Sequence, residues 1–139
     1  MINRFQFRIW SKKHNCWLEN SSSLHCSSNW QIDVFTGRVC DFVSALSGDE
    51  ETFIRTHIAD NDYIIQQYTG LKDSKRRKIY EGDIIEYENC GDKYKDQVFW
   101  EQDSFMIGPT KKRAVYYLGA VNKRAKVIGN IFENKNLLK

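Results

Sequence analysis

The chain has 139 residues, a length that suits one ordinary hydrophobic core, with or without a small appended lobe, and excludes two large domains. Hydrophobic residues make up 41% of it and aromatic residues 14%, which excludes a disordered chain because enough apolar surface is available to offset the conformational entropy of folding. The formal net charge of +3 is too small for the molecule as a whole to attract nucleic acid.

The first 40 residues read as short strands. Residues 5–10 alternate apolar and polar side chains, which is typical of a strand with one buried face. A turn at 11–15 and an extended segment at 16–19 complete a β-hairpin, and serine-rich loops follow. Residues 30–35 are again extended, and after a turn at 36–37 residues 38–40 are expected to pair back.

Residues 41–62 are the least strand-like part of the chain. Six acidic residues occur there against one arginine. The segment 49–58 suits a short helix, because its acidic residues would lie near the positive N-terminal end, but an irregular loop fits equally well. We therefore predict an N-terminal β-element and linker, with or without a short helix, over residues 1–62.

From residue 63 onward the strand pattern strengthens. Extended segments are predicted at 63–69, 78–80, 82–87, 96–100, 104–107, 115–118 and 126–132, with turns between them. Short strands at roughly ten-residue spacing indicate a small barrel or sandwich, in which closure of the sheet hides its edges. The fold class predicted from these patterns is all-β, with a closed sheet over residues 63–139.

Four short motifs stand out along the chain: FRIW at 7–10, YTGLKD at 68–73, KIYEGDII at 78–85 and VIGNIFEN at 127–134. Together they resemble the motifs of the YopX family of phage and prophage proteins. Their order and spacing fit across essentially the whole chain. The resemblance implies an SH3-type barrel in the C-terminal two-thirds, preceded by an N-terminal β-hairpin element, and a phage or mobile-element origin. It implies no particular biochemical activity.

Two departures from the family pattern concern turns. Family members usually carry a Lys-Asn-Gly type of turn after Leu-Lys-Asp, and often a proline after the final Glu-Asn. Here residues 74–77 read Ser-Lys-Arg-Arg, and Lys135 stands at the second place. Without Asn-Gly the tight turn loses its best former, so the loop after Asp73 is expected to be longer or looser.

Gly82 and Asp83 are predicted to form a structural turn. Glycine accepts the positive φ of a diverging turn, and the aspartate can accept backbone N–H bonds within it. A ligand-binding role is the less favoured alternative. Glu81 and Asp83 are not expected to act as a catalytic carboxylate pair, because residues at i and i+2 need not converge and a third partner is not evident.

Basic residues in the second half form three short clusters. Either the barrel brings them to one rim as a positive patch for phosphates, with Tyr94, Trp100, Tyr116 and Tyr117 as stacking surface, or each cluster is a solvated turn. The candidate residues for nucleic-acid or anion binding are Lys75, Arg76, Arg77, Lys111, Lys112, Arg113, Lys123 and Arg124.

Neither a metal site nor a cofactor site is predicted. The cysteines at 16, 26, 40 and 90 follow no metal-ligand spacing, and four free thiols in a reducing cytoplasm are expected. A chance disulfide or a metal site with His14, His25 or His57 is the alternative. The chain also lacks a GxSxG elbow and a phosphate-binding glycine loop, so an enzyme is not expected.

Trp10 and Trp17 are candidates for a protein interface, with core packing as the alternative. We expect a cytoplasmic protein of the bacterial host cell, without a signal peptide or membrane span, that binds a host or phage protein, for example to counter host defence, and forms homo-oligomers. Nucleic-acid binding through the basic loops and sequestration of a small nucleotide are the alternatives.

Overall fold

A computed structural model of the chain describes residues 6–18, 29–32, 39–47, 50–57, 62–108 and 115–139. Strands dominate it, as the sequence pattern predicts, and the helices within these ranges are two short 3-10 segments. The chain divides into two compact units, one formed by Arg8–Ile65 and the other by Met1–Phe7 with Gln66–Lys139. Among the described residues, neither helical segment has the length and apolar composition needed to span a membrane.

The first part of the chain forms two antiparallel arrangements. Strands β1 and β2 pair as the predicted hairpin, with Trp10 opposite Trp17, and strands β3, β4 and β5 form a three-stranded sheet in that order. The predicted turn at 36–37 and the serine-rich loops lie outside the described residues. The strand bounds are β1 Phe7–Ser11, β2 Cys16–Leu18, β3 Asn29–Ile32, β4 Val39–Ser47 and β5 Glu50–His57.

Neither of the two alternatives for residues 49–58, a short helix or an irregular loop, is correct. Strand β5 pairs with β4 along its whole length, from Glu50 opposite Ser47 to His57 opposite Cys40. Acidic residues at a helix N-terminus contribute only about 0.3–1 kcal/mol, too little to compete with an eight-residue ladder of backbone hydrogen bonds. The β-branched residues at 52, 54 and 56 alternate along the segment and favour extended backbone.

The rest of the chain forms a second set of antiparallel strands. Strands β8 to β12 build a five-stranded sheet in the order β11-β10-β9-β8-β12, and β6 pairs with β7 through an irregular register between Tyr68 and Lys72. The 3-10 segments are Leu118–Ala120 and Lys135–Leu138. The strands are β6 Tyr63–Lys72, β7 Lys78–Tyr80, β8 Asp83–Asn89, β9 Asp92–Glu101, β10 Ser104–Gly108, β11 Tyr116–Tyr117 and β12 Lys126–Asn130.

Strand β8 lies at the centre of the hydrophobic core. Ile85 and Tyr87 point to one face at the two-residue period of a strand, while the neighbouring Ile84 is fully buried on the other face. Burial of each such aliphatic side chain contributes about 1.5–3 kcal/mol. The core cluster comprises Ile79, Ile85, Tyr87, Val98, Ile107, Leu118, Val121, Ala125 and Val127.

Candidate functional site

The loop between β6 and β7 is organised by the carboxylate of Asp73. One carboxylate oxygen accepts the backbone N–H groups of Lys75 and Arg77, each at 2.9 Å. The other accepts the N–H of Val127, on β12, at 3.0 Å. Because the side chain is buried, these bonds are shielded from water. Asp73 therefore both closes its own loop and ties that loop to β12.

The same contacts stabilise the charged form of this carboxyl. Burial alone would raise the pKa of Asp73. The three backbone donors and the positive charge of Arg77 outweigh burial, so the pKa of Asp73 lies below its usual range. Asp73 is consequently ionised at neutral pH.

Two of the three predicted basic clusters are brought together by hydrogen bonds. The N–H of Ser74 donates to the carbonyl of Ala125 at 2.9 Å, and the side-chain amide of Asn122 donates to the carbonyl of Lys72 at 2.8 Å. The result is a patch of exposed cations from two loops, which we call the basic surface. It consists of Lys72, Lys75, Arg76, Arg77, Lys123, Arg124 and Lys126.

Some of the basic residues already donate hydrogen bonds within the protein, and others lie outside the described residues. The guanidinium of Arg77 donates to the carbonyl of Val127 at 3.1 Å, and the ammonium of Lys78 donates to the Gln6 amide oxygen at 2.6 Å. The third cluster, Lys111, Lys112 and Arg113, lies outside the described residues.

Gly82 and Asp83 occupy a crowded junction. Gly82 has a φ of +78°, its N–H donates to Val98 at 2.8 Å, and its carbonyl accepts the N–H of Ile131 at 3.0 Å. One oxygen of Asp83 accepts the N–H of Tyr80 at 2.8 Å, and the other lies 3.3 Å from the amide nitrogen of Asn130. The backbone and carboxylate of this pair thus hold three chain segments together.

The described residues contain an aromatic groove of about 570 Å³. Trp100 and Tyr117 are 49% and 63% exposed in it, so most of their ring surface is open to solvent. Phe105 lies edge-on to Trp100 at 4.7 Å between ring centroids. Large exposed aromatic area of this kind marks binding surfaces. Tyr68, Leu71 and Asp103 also line the groove.

One wall of the aromatic groove is shaped by an irregularity in β6. Gly70 has a φ of +81° within the strand. The hydroxyl of Thr69 donates to the carbonyl of Ile79 at 2.8 Å and accepts the N–H of Leu71 at 3.2 Å. These bonds hold the bulge where β6 and β7 change register. The Tyr-Thr-Gly-Leu stretch at 68–71 therefore has a structural role, because it bends β6 beside the groove.

The two tryptophans of the first hairpin differ in exposure. Trp10 is buried, so its ring is withdrawn from any partner, while Trp17 is half-buried. The rings meet edge-on at 4.9 Å, and the Arg8 guanidinium lies 4.3 Å from the Trp17 centroid. Of the two rings, only that of Trp17 has surface that a binding partner could contact.

The cysteines that the structure describes with their side chains are Cys16 and Cys90. Both are present as thiols. Within the described ranges, no three His, Cys, Asp or Glu side chains gather closely enough to hold a metal ion. His25 and Cys26 lie outside those ranges.

Sequence reasoning missed the roles of Asp73 and of the groove. Asp73 was visible only as a letter of a family motif, although an aspartate before a four-residue polar stretch is a recognisable signal for side-chain capping of a loop. The sequence suggests Trp100 and Tyr117 as stacking aromatics beside basic loops. The structure places them together beside Tyr68, with the acidic Asp103.

Comparison with known proteins gives a family and several solved structures, two of which are described here. The family model described as YopX protein matches residues 6–139. Protein EF1440 from Enterococcus faecalis is 22% identical, over 96% of this chain and 97% of that one, with a TM-score of 0.60. Protein yopX from Bacillus subtilis is 16% identical, over 100% of both chains, with a TM-score of 0.61. At these identities the likeness concerns the fold. Among curated proteins, no match was found.

Proposed function

Because the chain belongs to the YopX family, we propose that it is a phage or prophage accessory protein that binds a protein partner in the bacterial cytoplasm. The aromatic groove carries this proposal. In our proposal the protein acts by binding and not by catalysis, and its partner belongs to a host or phage complex, such as one concerned with defence.

An SH3-type barrel is the architecture we propose for the second unit. Two observations support it: the five-stranded antiparallel sheet in the order β11-β10-β9-β8-β12, and the burial of β8 on both faces. In small barrels the core stays constant while loops and exposed strand ends carry the binding surface. A groove lined from β6, β9, β10 and β11 fits that division.

The groove suits an extended peptide segment with an apolar side chain beside a basic one. Trp100 and Tyr117 offer flat apolar faces for a proline or aliphatic side chain. Asp103 lines the same groove from the exposed turn after β9. A neighbouring lysine or arginine of the partner would meet this carboxylate and the aromatic faces together.

Self-association through the first hairpin forms part of the proposal. The half-buried ring of Trp17, stacked under the Arg8 guanidinium, is the surface that supports it. Sedimentation velocity of the full chain should show an oligomer that Trp17→Ala dissociates. A monomer at all accessible concentrations would contradict self-association and would not bear on peptide binding in the groove.

Selection from a displayed library of randomised peptides tests the groove. We expect enriched sequences with a proline or aliphatic residue next to lysine or arginine. A synthetic peptide of that consensus should bind Trp100→Ala at least about 30-fold more weakly, the effect of losing an aromatic anchor worth about 2 kcal/mol. Because Trp100 is only half buried, its replacement should lower the unfolding midpoint without unfolding the protein at the assay temperature.

Lys93→Ala is the matched control, since Lys93 is exposed on the same strand, β9, and does not line the groove. It should keep full peptide affinity. Equal enrichment on the native chain and on Trp100→Ala would contradict the proposal.

A further inference from the structure

We propose that the basic surface binds the phosphate backbone of double-stranded nucleic acid, separately from the aromatic groove. Residues 72–78 contain five lysines or arginines and one acidic residue, and residues 122–126 contain three and no acidic residue. The hydrogen bonds from Ser74 to Ala125 and from Asn122 to Lys72 hold these two segments side by side. Charges that are distant in sequence thus form one positive surface.

The single carboxylate in these segments does not neutralise the surface. Asp73 is buried and its oxygens accept three backbone N–H groups. Among the described residues, no carboxylate pairs with the exposed side chains of Lys75, Arg76, Lys123 and Arg124. These four cations are therefore available to replace the counterions of a phosphate backbone.

Arg76 lies in the turn of the first segment. It has a φ of +65°, in the left-handed region that favours glycine or asparagine. Its N–H closes the turn by donating to the carbonyl of Asp73 at 2.9 Å. A cation thus stands in this turn at a position where glycine would fit the backbone at lower cost.

The composition of the two segments favours a duplex over a single strand. Proteins that bind single strands stack bases on aromatic side chains. Residues 72–78 and 122–126 contain no aromatic residue. Cations fixed on hydrogen-bonded loops instead suit the regular phosphates of a duplex, which are contacted without reading the sequence.

Fluorescence anisotropy with a labelled DNA duplex, measured from 50 to 200 mM salt, tests the proposal. Four phosphate contacts predict a slope of log affinity against log salt of about −3.6, which weakens binding about 100-fold over that range. The variant Lys75→Ala/Arg76→Gly/Lys123→Ala/Arg124→Ala should lose most of this slope. The control Lys12→Ala/Lys13→Ala/Lys93→Ala/Lys95→Ala removes four exposed cations elsewhere and should change affinity only a few-fold.

Several results would overturn the proposal. They are equal losses in the two quadruple variants, a flat salt response, no binding at 50 mM salt, or tighter binding to a single strand or to anionic lipid vesicles than to the duplex. Trp100→Ala should leave duplex binding unchanged, so failure here and failure of the peptide-binding proposal are distinguishable.

The single variant Arg76→Gly separates binding from folding. It should raise the midpoint of thermal unfolding, because glycine adopts the positive φ freely. It should also weaken duplex binding about three- to tenfold through the loss of one phosphate contact. A variant that is more stable and binds the duplex as tightly as the native chain would contradict the assignment of Arg76.

Discussion

Replacement of Gly82 by alanine is expected to lower the free energy of unfolding by about 3 kcal/mol. A φ of +78° costs an alanine about 1–2 kcal/mol. The added Cβ would also overlap the side-chain amide nitrogen of Gln66. Gln66 is buried and its amide oxygen accepts a hydrogen bond from Asn130, so it cannot move aside without breaking that bond. Chemical denaturation of the two proteins measures the difference.

Gly91→Ala is the matched control for Gly82→Ala. Gly91 has a φ of +89°, but nothing lies within 4 Å of a Cβ placed there. It should show the conformational cost alone, about 1–2 kcal/mol. If both variants lose the same stability, the close approach of Gly82 to Gln66 has no energetic consequence.

Asp73→Asn is expected to destabilise the protein by about 2–3 kcal/mol. The asparagine oxygen can still accept the N–H groups of Lys75 and Arg77, but its amide nitrogen would face the N–H of Val127. Two donors then oppose each other at a buried position, and loss of the charge weakens the remaining bonds. Equilibrium denaturation at neutral pH gives the difference. Asp92→Asn, at the exposed first residue of β9, should have little effect.

The difference between the native chain and Asp73→Asn should depend on pH with a defined sign. The folded-state pKa of Asp73 is lowered below the value of about 3.9 expected in the unfolded chain. The stabilisation is therefore fully present above about pH 5 and is lost as pH falls through the folded-state pKa. In denaturation curves, the difference between the two proteins should be constant from pH 7 to about pH 5 and should shrink from there towards pH 3. A constant difference over that range would contradict this account of Asp73.

Asp73 also connects stability to the proposed binding surface. Its bonds to Lys75, Arg77 and Val127 hold the loop that carries half of the basic surface against β12. We therefore expect Asp73→Asn to weaken duplex binding even though it makes the net charge more positive. That direction is opposite to a simple charge effect.

The second half of the chain was predictable because its signals are local. Runs rich in β-branched and aromatic residues, such as 84–87 and 98–100, and polar turns between them, specify strands without reference to partners. The YopX resemblance, read from four short motifs, is confirmed by the family match over residues 6–139. Ile85 and Tyr87 on β8 are an example. Their two-residue spacing predicts that they share one face of the strand, and both are buried in the core.

The stretch 49–58 shows where local reading failed. Its acidic start fits a short helix or an irregular loop equally well, but pairing with β4 decides for a strand. Interactions that favour a helix join residues three or four positions apart, so a local pattern shows them. A strand is stabilised by pairing with another segment, which the local pattern does not show. The alternating β-branched residues Thr52, Ile54 and Thr56 are the local pattern that favours a strand.

The candidate sites depended still more on the tertiary structure. Lys75 and Arg124 are 49 positions apart, and only hydrogen bonds between their loops make them neighbours. The aromatic groove likewise joins Tyr68, Trp100 and Tyr117 from separate strands.

By itself the sequence determined the strand content of the second half, the first hairpin, the family and the residue types available for binding. It did so because side-chain periodicity and turn chemistry act over a few neighbouring residues. Only the tertiary structure decided the strand at 50–57, the role of Asp73 and the meeting of distant cations and aromatics. Those features are set by pairing and by backbone hydrogen bonds between segments far apart in the chain, whose energies no local pattern encodes.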